Sequence, residues 1–130
     1  MSTLSDFAIR YTAAWCSKSA ASVAAHFAER GRLAINGGEP AIGRAAIAAA
    51  AQGFMSAFPD MVVQMNRLEV DGSRVEFHWT LTGTNTGPGG TGRPVRISGS
   101  ELWQIGADGL IDESKGQFDE AEYQRQLTGA

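Results

Sequence analysis

The amino-acid sequence predicts a single α+β domain, in which N-terminal helices pack on one face of a curved, mostly antiparallel sheet. Apolar residues recur at three- and four-residue steps as far as Pro59 and at two-residue steps afterwards. In the second half, two pairs of β-rich segments are each joined by a short turn that contains Asp-Gly. A chain of 130 residues can bury one hydrophobic core, so we assign residues 1–130 to one domain.

The first half contains two amphipathic segments before the first turn. The first predicted helix is opened by Ser2 or Ser5, and its apolar stripe consists of Leu4, Phe7, Ala8, Tyr11 and Trp15. The stripe of the second predicted helix consists of Ala20, Val23, Ala24 and Phe27. Gly31 is expected to end that helix, and residues 32–36 are long enough for a first strand.

A third helix is predicted from about Arg44 to the residue before Pro59, because proline cannot continue a helix. Strands are then predicted over 62–70 and 74–82, joined at 71–73, and over 95–105 and 110–118, joined at 107–109. A short helix over 120–127 closes the chain, and the glycine-rich segment 83–92 is expected to be a flexible loop.

Alternation along the strands places one acid, Glu101, on the inward face together with Trp103. A buried carboxylate must be paired, neutralised or used in function. With a three-residue hairpin loop and Gly109 in the left-handed region, Lys115 would lie opposite Glu101. Three interpretations stay open for Glu101: an ion pair with Lys115, an acid that contacts a ligand, and a neutral donor with a raised pKa.

Composition excludes several classes of function. A net charge of -3 with scattered basic residues argues against binding to nucleic acid. No apolar run approaches the roughly 20 residues that cross a bilayer, and no secretory leader is recognisable, so we expect a cytoplasmic protein without a membrane role. Two separate histidines, His26 and His78, and a single Cys16 predict no metal site. We expect Cys16 to be a buried apolar thiol, His26 to face solvent and His78 to lie on the outer sheet face.

The order of several short motifs resembles the SnoaL-like polyketide cyclases and their ketosteroid isomerase relatives, within the nuclear-transport-factor-like superfamily. These motifs are Phe58-Pro59-Asp60, Gly83-Thr84-Asn85-Thr86-Gly87, Gly92-Arg93-Pro94, Asp108-Gly109-Leu110-Ile111, and Asp119 ahead of Gln126-Leu127. The resemblance covers nearly the whole chain. It implies a cone-shaped sheet with the N-terminal helices on its concave face.

The resemblance also implies roles for individual residues. Asp119 matches the acid near the end of the last strand that acts as general acid/base in the cyclases. Tyr11 and Glu101 match the places of the oxyanion-hole Tyr and protonated Asp of the isomerases. The general base that the isomerases carry on the first strand is missing, since this chain has Ile35-Asn36 there, and Asn85 stands where many cyclases carry a histidine.

Together these observations predict a small-molecule enzyme that performs acid/base chemistry, without a cofactor, on an apolar or aromatic carbonyl-bearing ligand. Asp119 would move the proton, and Tyr11 or Lys115 would stabilise the enolate oxygen. The predicted pocket residues are Tyr11, Trp15, Phe54, Phe58, Trp79, Glu101, Trp103, Lys115 and Asp119.

Simpler roles are also predicted for the same residues, and a non-catalytic alternative stays open. Asp119 with Glu122 fits a helix capping box, and Tyr11 fits a core tyrosine. The alternative is a ligand-binding or dimerisation module of the same fold. In either case the resemblance implies a homodimer, formed through the outer sheet face that carries Arg96, Ser98, Ser100 and His78.

Overall fold

A computed structural model describes residues 3–129 as four helices and six strands. In chain order the elements are α1 (Leu4–Cys16), α2 (Ala20–Ala24), β1 (Phe27–Ile35), β2 (Ala41–Ile42), α3 (Arg44–Ala57), β3 (Val62–Asp71), β4 (Arg74–Thr84), β5 (Pro94–Ile105), β6 (Ile111–Phe118) and α4 (Glu120–Thr128). No helix within these residues is both long and apolar enough to cross a membrane.

The six strands form one curved, open sheet in the order β2-β1-β6-β5-β4-β3. All neighbouring strands are antiparallel except β1 and β6, which are parallel. The predicted α+β class is therefore confirmed, and the parallel pair joins the first strand to the last one. The two-residue strand β2 is an addition to the predicted elements.

The start of the first helix differs from the prediction. Thr3 is the N-cap of α1, and its side chain accepts a hydrogen bond from the Asp6 N–H while the Asp6 side chain accepts one from the Thr3 N–H. This reciprocal arrangement satisfies two backbone donors that a helix start leaves free. Ser5 lies inside the helix. Ser2, the other predicted opening residue, lies outside the described residues.

The second helix is shorter than predicted and the first strand longer. Helix α2 ends at Ala24, and β1 begins at Phe27, where the strand pairs with Ile111 of β6. A Cβ on Gly31 would lie 2.8 Å from the Ile111 carbonyl oxygen, so glycine allows the close approach of the two strands. The apolar spacing of this segment predicts a helix, but its pairing with β6, a strand distant in the sequence, decides its conformation.

The core lies between the helices and the concave face of the sheet. Its largest fully buried side chains include Tyr11 of α1, Phe27 of β1, Phe58 after α3, Phe77 of β4 and Trp103 of β5. Burial of each such side chain stabilises the fold by roughly 1.5–3 kcal/mol. The predicted alternation of β4 is confirmed, since Val75, Phe77 and Leu81 are buried.

The glycine-rich segment after β4 is held in place by Asn85, whose side chain is buried. Its Nδ2 donates to the Ala57 carbonyl at 3.1 Å, and its Oδ1 accepts from the Thr91 N–H at 2.8 Å. Gly87 lies so close to the Ser56 carbonyl that any side chain would clash there. These contacts hold the segment that was predicted to be flexible against the C-terminal end of α3.

We expect Asn85→Ala to lower the free energy of unfolding by about 2 kcal/mol, because it leaves the Thr91 N–H and the Ala57 carbonyl without their buried partner. Thr86→Ala, at an exposed neighbouring position, should change it by less than about 0.5 kcal/mol. Urea unfolding of both variants measures the difference. Equal stability of the two variants would show that Asn85 does not hold the segment.

Candidate functional site

A mostly apolar cavity lies between the helices and the concave face of the sheet. Its volume is about 70 Å³. The aromatic residues of its wall are Trp15, Phe54, Phe77, Trp79, Phe118 and Tyr123. The remaining lining residues are Leu33, Ile35, Ala50, Val63, Leu81, Ile97, Glu101 and Gly116. Glu101 is the only carboxylate among these residues.

Glycines in the strands shape this cavity. Gly99 of β5 allows Trp79 and Phe118 to approach each other, since a Cβ there would lie 2.6 Å from the Trp79 ring. The two rings are 6.1 Å apart in an edge-to-face arrangement. Gly116 of β6 pairs with Glu101 across the ladder, and its lack of a side chain leaves space beside the carboxylate.

Glu101 is 7% exposed, as the alternation of β5 predicts. Its Oε1 accepts three hydrogen bonds: from the Tyr11 hydroxyl at 2.9 Å, the Trp103 indole N–H at 3.1 Å and the Ser114 hydroxyl at 2.7 Å. Its Oε2 is 3.1 Å from the same Tyr11 hydroxyl. Oε1 is therefore saturated with donors, whereas Oε2 retains capacity for a further partner.

No cationic side chain among residues 3–129 forms an ion pair with Glu101. Burial raises the pKa of Glu101, and the hydrogen bonds from Ser114, Trp103 and Tyr11 act in the opposite direction without cancelling the effect. The pKa of Tyr11 is raised well above its ordinary value by burial and by the nearby Glu101 carboxylate. Tyr11 thus stays a neutral hydrogen-bond donor.

Comparisons with known proteins agree with this architecture. The sequence profile of the SnoaL-like polyketide cyclases matches residues 5–127. The chain belongs to this SnoaL-like family. The resemblance predicted from the short motifs is therefore confirmed. No sequence among the curated proteins matches the chain significantly.

Solved structures show the same fold. One of them is a hypothetical protein with a ketosteroid isomerase-like fold from Catenulispora acidiphila DSM 44928, solved in complex with trimethylamine. It is 15% identical to this chain, with a TM-score of 0.84, and the match covers 95% of this chain and 92% of that chain. TsrD from Streptomyces laurentii is 21% identical with a TM-score of 0.84, over 98% and 96% of the two chains.

A putative SnoaL-like polyketide cyclase from Jannaschia sp. CCS1 is 17% identical with a TM-score of 0.77, over 95% of this chain and 93% of that chain. At these levels of identity the structural likeness establishes the fold alone.

The predicted neighbour of Glu101 in this SnoaL-like chain is wrong. Ile105 pairs with Ile111, as a three-residue hairpin loop requires, but the register then shifts, and Gln104 pairs with Glu113. Asp112 is the extra residue of this β-bulge. Beyond the bulge every side chain of β6 faces the side opposite to the prediction.

The bulge decides which β6 residues reach the carboxylate. Lys115 pairs with Leu102, its side chain is 63% exposed, and its ammonium group lies 3.9 Å from Glu113. Ser114, which the sequence reasoning missed, points inward instead and donates to Glu101. Lys115 therefore neither neutralises Glu101 nor lines the cavity.

Asp119 lies outside the cavity lining and is exposed. It is the N-cap of α4, where its Oδ1 accepts a hydrogen bond from the Glu122 N–H at 3.0 Å. The Glu122 carboxylate bonds to Arg125 and Gln126, so only half of the predicted capping box is present. These contacts with Arg125 and Gln126 lower the pKa of Glu122 to about 2.

The other predicted pocket residues divide into two groups. Trp15, Phe54 and Trp79 line the cavity together with Glu101. Tyr11, Trp103 and Phe58 do not line it. Tyr11 and Trp103 donate hydrogen bonds to Glu101, so they hold its carboxylate in place and are not part of the surface that a ligand would contact.

Tyr123 is a lining residue that the sequence reasoning missed. It projects from α4, and its ring packs against Phe118 and Phe58 with centroid distances of 5.3 and 6.3 Å. Burial raises its pKa, with a further contribution from the Glu120 charge. The only sequence signal for it is its helical spacing from Leu127, since both pack against the core.

The predictions for His26 and Cys16 do not agree with the structure. His26 was expected to face solvent, but it is half-buried, and its ring packs against Phe7 and Tyr11 at 5.1 and 5.5 Å. Burial lowers its pKa. The Cys16 thiol is half-buried, not fully buried, and lies 3.2 Å from the Val63 carbonyl oxygen.

One group of metal-ligand types comes together within the described part of the chain. Glu69, Glu76 and His78 place their ligand atoms within 4.8 Å of one another at the β3–β4 pair. The Arg67 guanidinium lies 3.4 Å from the His78 Nε2 and 3.7 Å from the Glu69 carboxylate. Arg67 therefore already supplies positive charge to this cluster.

We expect the stability of the protein to fall as pH rises through the raised pKa of Glu101. The ordinary pKa of 4.5, which applies in the unfolded chain, lies below the pKa of Glu101 in the folded protein. Between these two pKa values the folded protein holds a proton that the unfolded chain has released. Each unit of difference between the two pKa values contributes about 1.4 kcal/mol to this loss of stability. Glu101→Gln, which cannot titrate, should lack the loss.

The measurement is the free energy of unfolding in urea between about pH 4 and pH 9, for the wild type and each variant. Glu113→Gln removes a partly exposed carboxylate and serves as the control. The loss of stability with rising pH should be absent from Glu101→Gln and should remain in Glu113→Gln. The same loss in Glu101→Gln would show that it does not come from the Glu101 carboxyl group.

Proposed function

We propose that this SnoaL-like protein is a small-molecule enzyme in which Glu101 exchanges a proton with a carbonyl-bearing ligand held in the aromatic cavity. One observation carries the proposal: a carboxylate that no cationic side chain of the described residues 3–129 pairs with is part of the lining of an otherwise apolar cavity. An acid in such surroundings is a candidate for proton transfer because its pKa is raised towards neutral pH.

The hydrogen bonds divide the work between the two carboxylate oxygens. Tyr11, Trp103 and Ser114 hold Oε1 and thereby orient the group. Oε2 then takes a proton from a carbon next to the ligand carbonyl and can return it to another position. A carboxylate can perform this transfer alone, so the reaction needs no cofactor. Tyr11, Trp103 and Ser114 are positioning residues in this scheme.

Stabilisation of the enolate oxygen falls to a different group from those predicted. Tyr11 bonds to Glu101 and Lys115 faces away from the cavity. Of the lining residues, Tyr123 is the one besides Glu101 that carries an ionisable O–H group. Its pKa is raised, so it remains protonated and can act as a neutral donor.

The size of the cavity supports a small ligand. Its volume of about 70 Å³ is below the roughly 300 Å³ at which pockets for drug-sized molecules begin. The Catenulispora acidiphila protein, in complex with trimethylamine, holds a ligand of only a few atoms. A large polycyclic substrate would require the walls to move apart.

A non-catalytic ligand-binding module is the second candidate. It is favoured by the lining itself, in which Glu101 is the only carboxylate and no second acid accompanies it. Such a module would bind the same ligands without moving a proton.

We expect the protein to accelerate the exchange of hydrogen for deuterium next to the carbonyl of small cyclic ketones in D₂O, measured by NMR. Glu101→Gln should lower the rate by about 100-fold or more, since it removes the base. Asp119→Asn keeps a good N-cap and removes only the charge, so it should retain the rate.

Two outcomes would contradict this assignment. Loss of exchange in Asp119→Asn with retention in Glu101→Gln would move the base to Asp119. Binding of the ketones without any acceleration would favour the non-catalytic module.

We also propose a homodimer formed through the outer face of the sheet. Arg96 and Ser98 are exposed there, and Leu102 is an exposed apolar residue of the same strand. Sedimentation equilibrium at micromolar concentration should give twice the chain mass of 13.8 kDa. A monomer throughout that range would refute the dimer. The cytoplasmic location stays a prediction.

A further inference from the structure

Within the described residues 3–129, the charge of Glu101 has no positive counterpart. Its three hydrogen-bond donors, Tyr11, Trp103 and Ser114, are all neutral. No cationic side chain among residues 3–129 is paired with it. A buried carboxylate in an apolar site is costly unless a positive charge accompanies it. Protonation removes the charge below the Glu101 titration, and above it a cationic ligand in the cavity can supply the missing positive charge.

The wall of the cavity has the chemistry that attracts organic cations. The six aromatic residues Trp15, Phe54, Phe77, Trp79, Phe118 and Tyr123 line the space beside Glu101. The negative face of an aromatic ring attracts a cation, most strongly for Trp and most strongly where water is excluded. The same rings bind alkyl groups through apolar contact. A cation that carries methyl groups would satisfy both properties.

The number of acceptors limits the type of cation. Oε1 of Glu101 already accepts three hydrogen bonds, which leaves Oε2 as the acceptor with free capacity. A primary ammonium group has three N–H donors, and two of them would find no acceptor among the apolar side chains. A tertiary ammonium group has one N–H for Oε2, and a quaternary one has none to satisfy.

We propose that the cavity binds small tertiary or quaternary alkylammonium ions, with the ionised carboxylate of Glu101 as the counter-ion. This names the ligand class of the site and rests on the part of the proposed function that makes the cavity the ligand site. A carbonyl compound with such a group would also bring the positive charge that stabilises its own enolate, which no lining side chain supplies.

The test compares tetramethylammonium with tert-butanol, a neutral molecule of similar size and shape. Binding is followed by quenching of tryptophan fluorescence, since Trp15 and Trp79 line the cavity, at constant ionic strength set with sodium chloride. At a pH above the Glu101 titration, tetramethylammonium should bind about tenfold or more tightly than tert-butanol. Its affinity should fall as pH is lowered through that titration.

The pH dependence can be assigned to Glu101. The titratable groups around it are Tyr11 of α1, which bonds to Glu101, Tyr123 of α4, which lines the same cavity, and His26, whose ring packs against Tyr11 at 5.5 Å. Both tyrosines have pKa values raised above the ordinary 10.0, so neither titrates between acidic and neutral pH. Burial lowers the pKa of His26, so the pH dependence is also measured in His26→Asn, where it should remain.

Three variants separate the effect of charge from that of shape. Glu101→Gln should weaken tetramethylammonium binding about tenfold or more and leave tert-butanol binding unchanged. Glu113→Gln alters the net charge equally at an outward-facing position and should leave both unchanged. Trp79→Leu keeps the wall apolar without its large ring, and it should weaken the cation more than the alcohol.

The outcomes distinguish this inference from the proposed function. Equal or tighter binding of tert-butanol, with no effect of Glu101→Gln on tetramethylammonium, would overturn the cation inference and leave the apolar ligand site intact. Binding of neither molecule, together with exchange into small ketones, would also overturn it while the enzyme proposal survives. Binding of neither molecule and no exchange would refute both.

Discussion

The buried carboxylate of Glu101 is the interaction on which the interior depends. Its three donors come from three different strands and helices: Tyr11 from α1, Trp103 from β5 itself and Ser114 from β6. A small displacement of any of these elements would leave a buried polar group without its partner, which costs about 1–3 kcal/mol. The carboxylate thereby couples the position of the first helix to the register of the last two strands.

The same interaction explains how a carboxylate can lie beside an almost wholly apolar cavity. All three donors bond to Oε1, and none of them is a lining residue of the cavity. The wall can then consist almost entirely of aromatic and aliphatic side chains. A carboxylate with only neutral donors and little contact with water has no full compensation for its charge. Its pKa therefore depends on the ligand that enters the cavity.

The β-bulge at Asp112 is the feature that separates the predicted site from the observed one. Up to Ile105 and Ile111 the hairpin has the predicted pairing, and a single extra residue then exchanges the inward and outward faces of β6. Gly106 faces the Asp112 carboxylate, and a Cβ there would lie 2.7 Å from its oxygens, so a larger residue would require the exposed Asp112 side chain to move. A glycine next to a hairpin and an acid beyond it are a weak signal, common to many turns without bulges.

Local patterns determined much of this protein. Pro59 ends a helix, Asp-Gly turns connect the strands, and alternation turns Glu101 inward, because each of these depends on neighbouring residues only. The aromatic positions Trp15, Phe54 and Trp79 followed from the same reasoning.

The tertiary structure alone decided which groups meet Glu101. Strand register is cooperative over the whole sheet, so Ser114 and not Lys115 reaches the carboxylate. Packing of α4 brings Tyr123 to the cavity and leaves Asp119 at the helix end. These are contacts between residues far apart in the chain, whose geometry depends on how the curved sheet and the helices fit together.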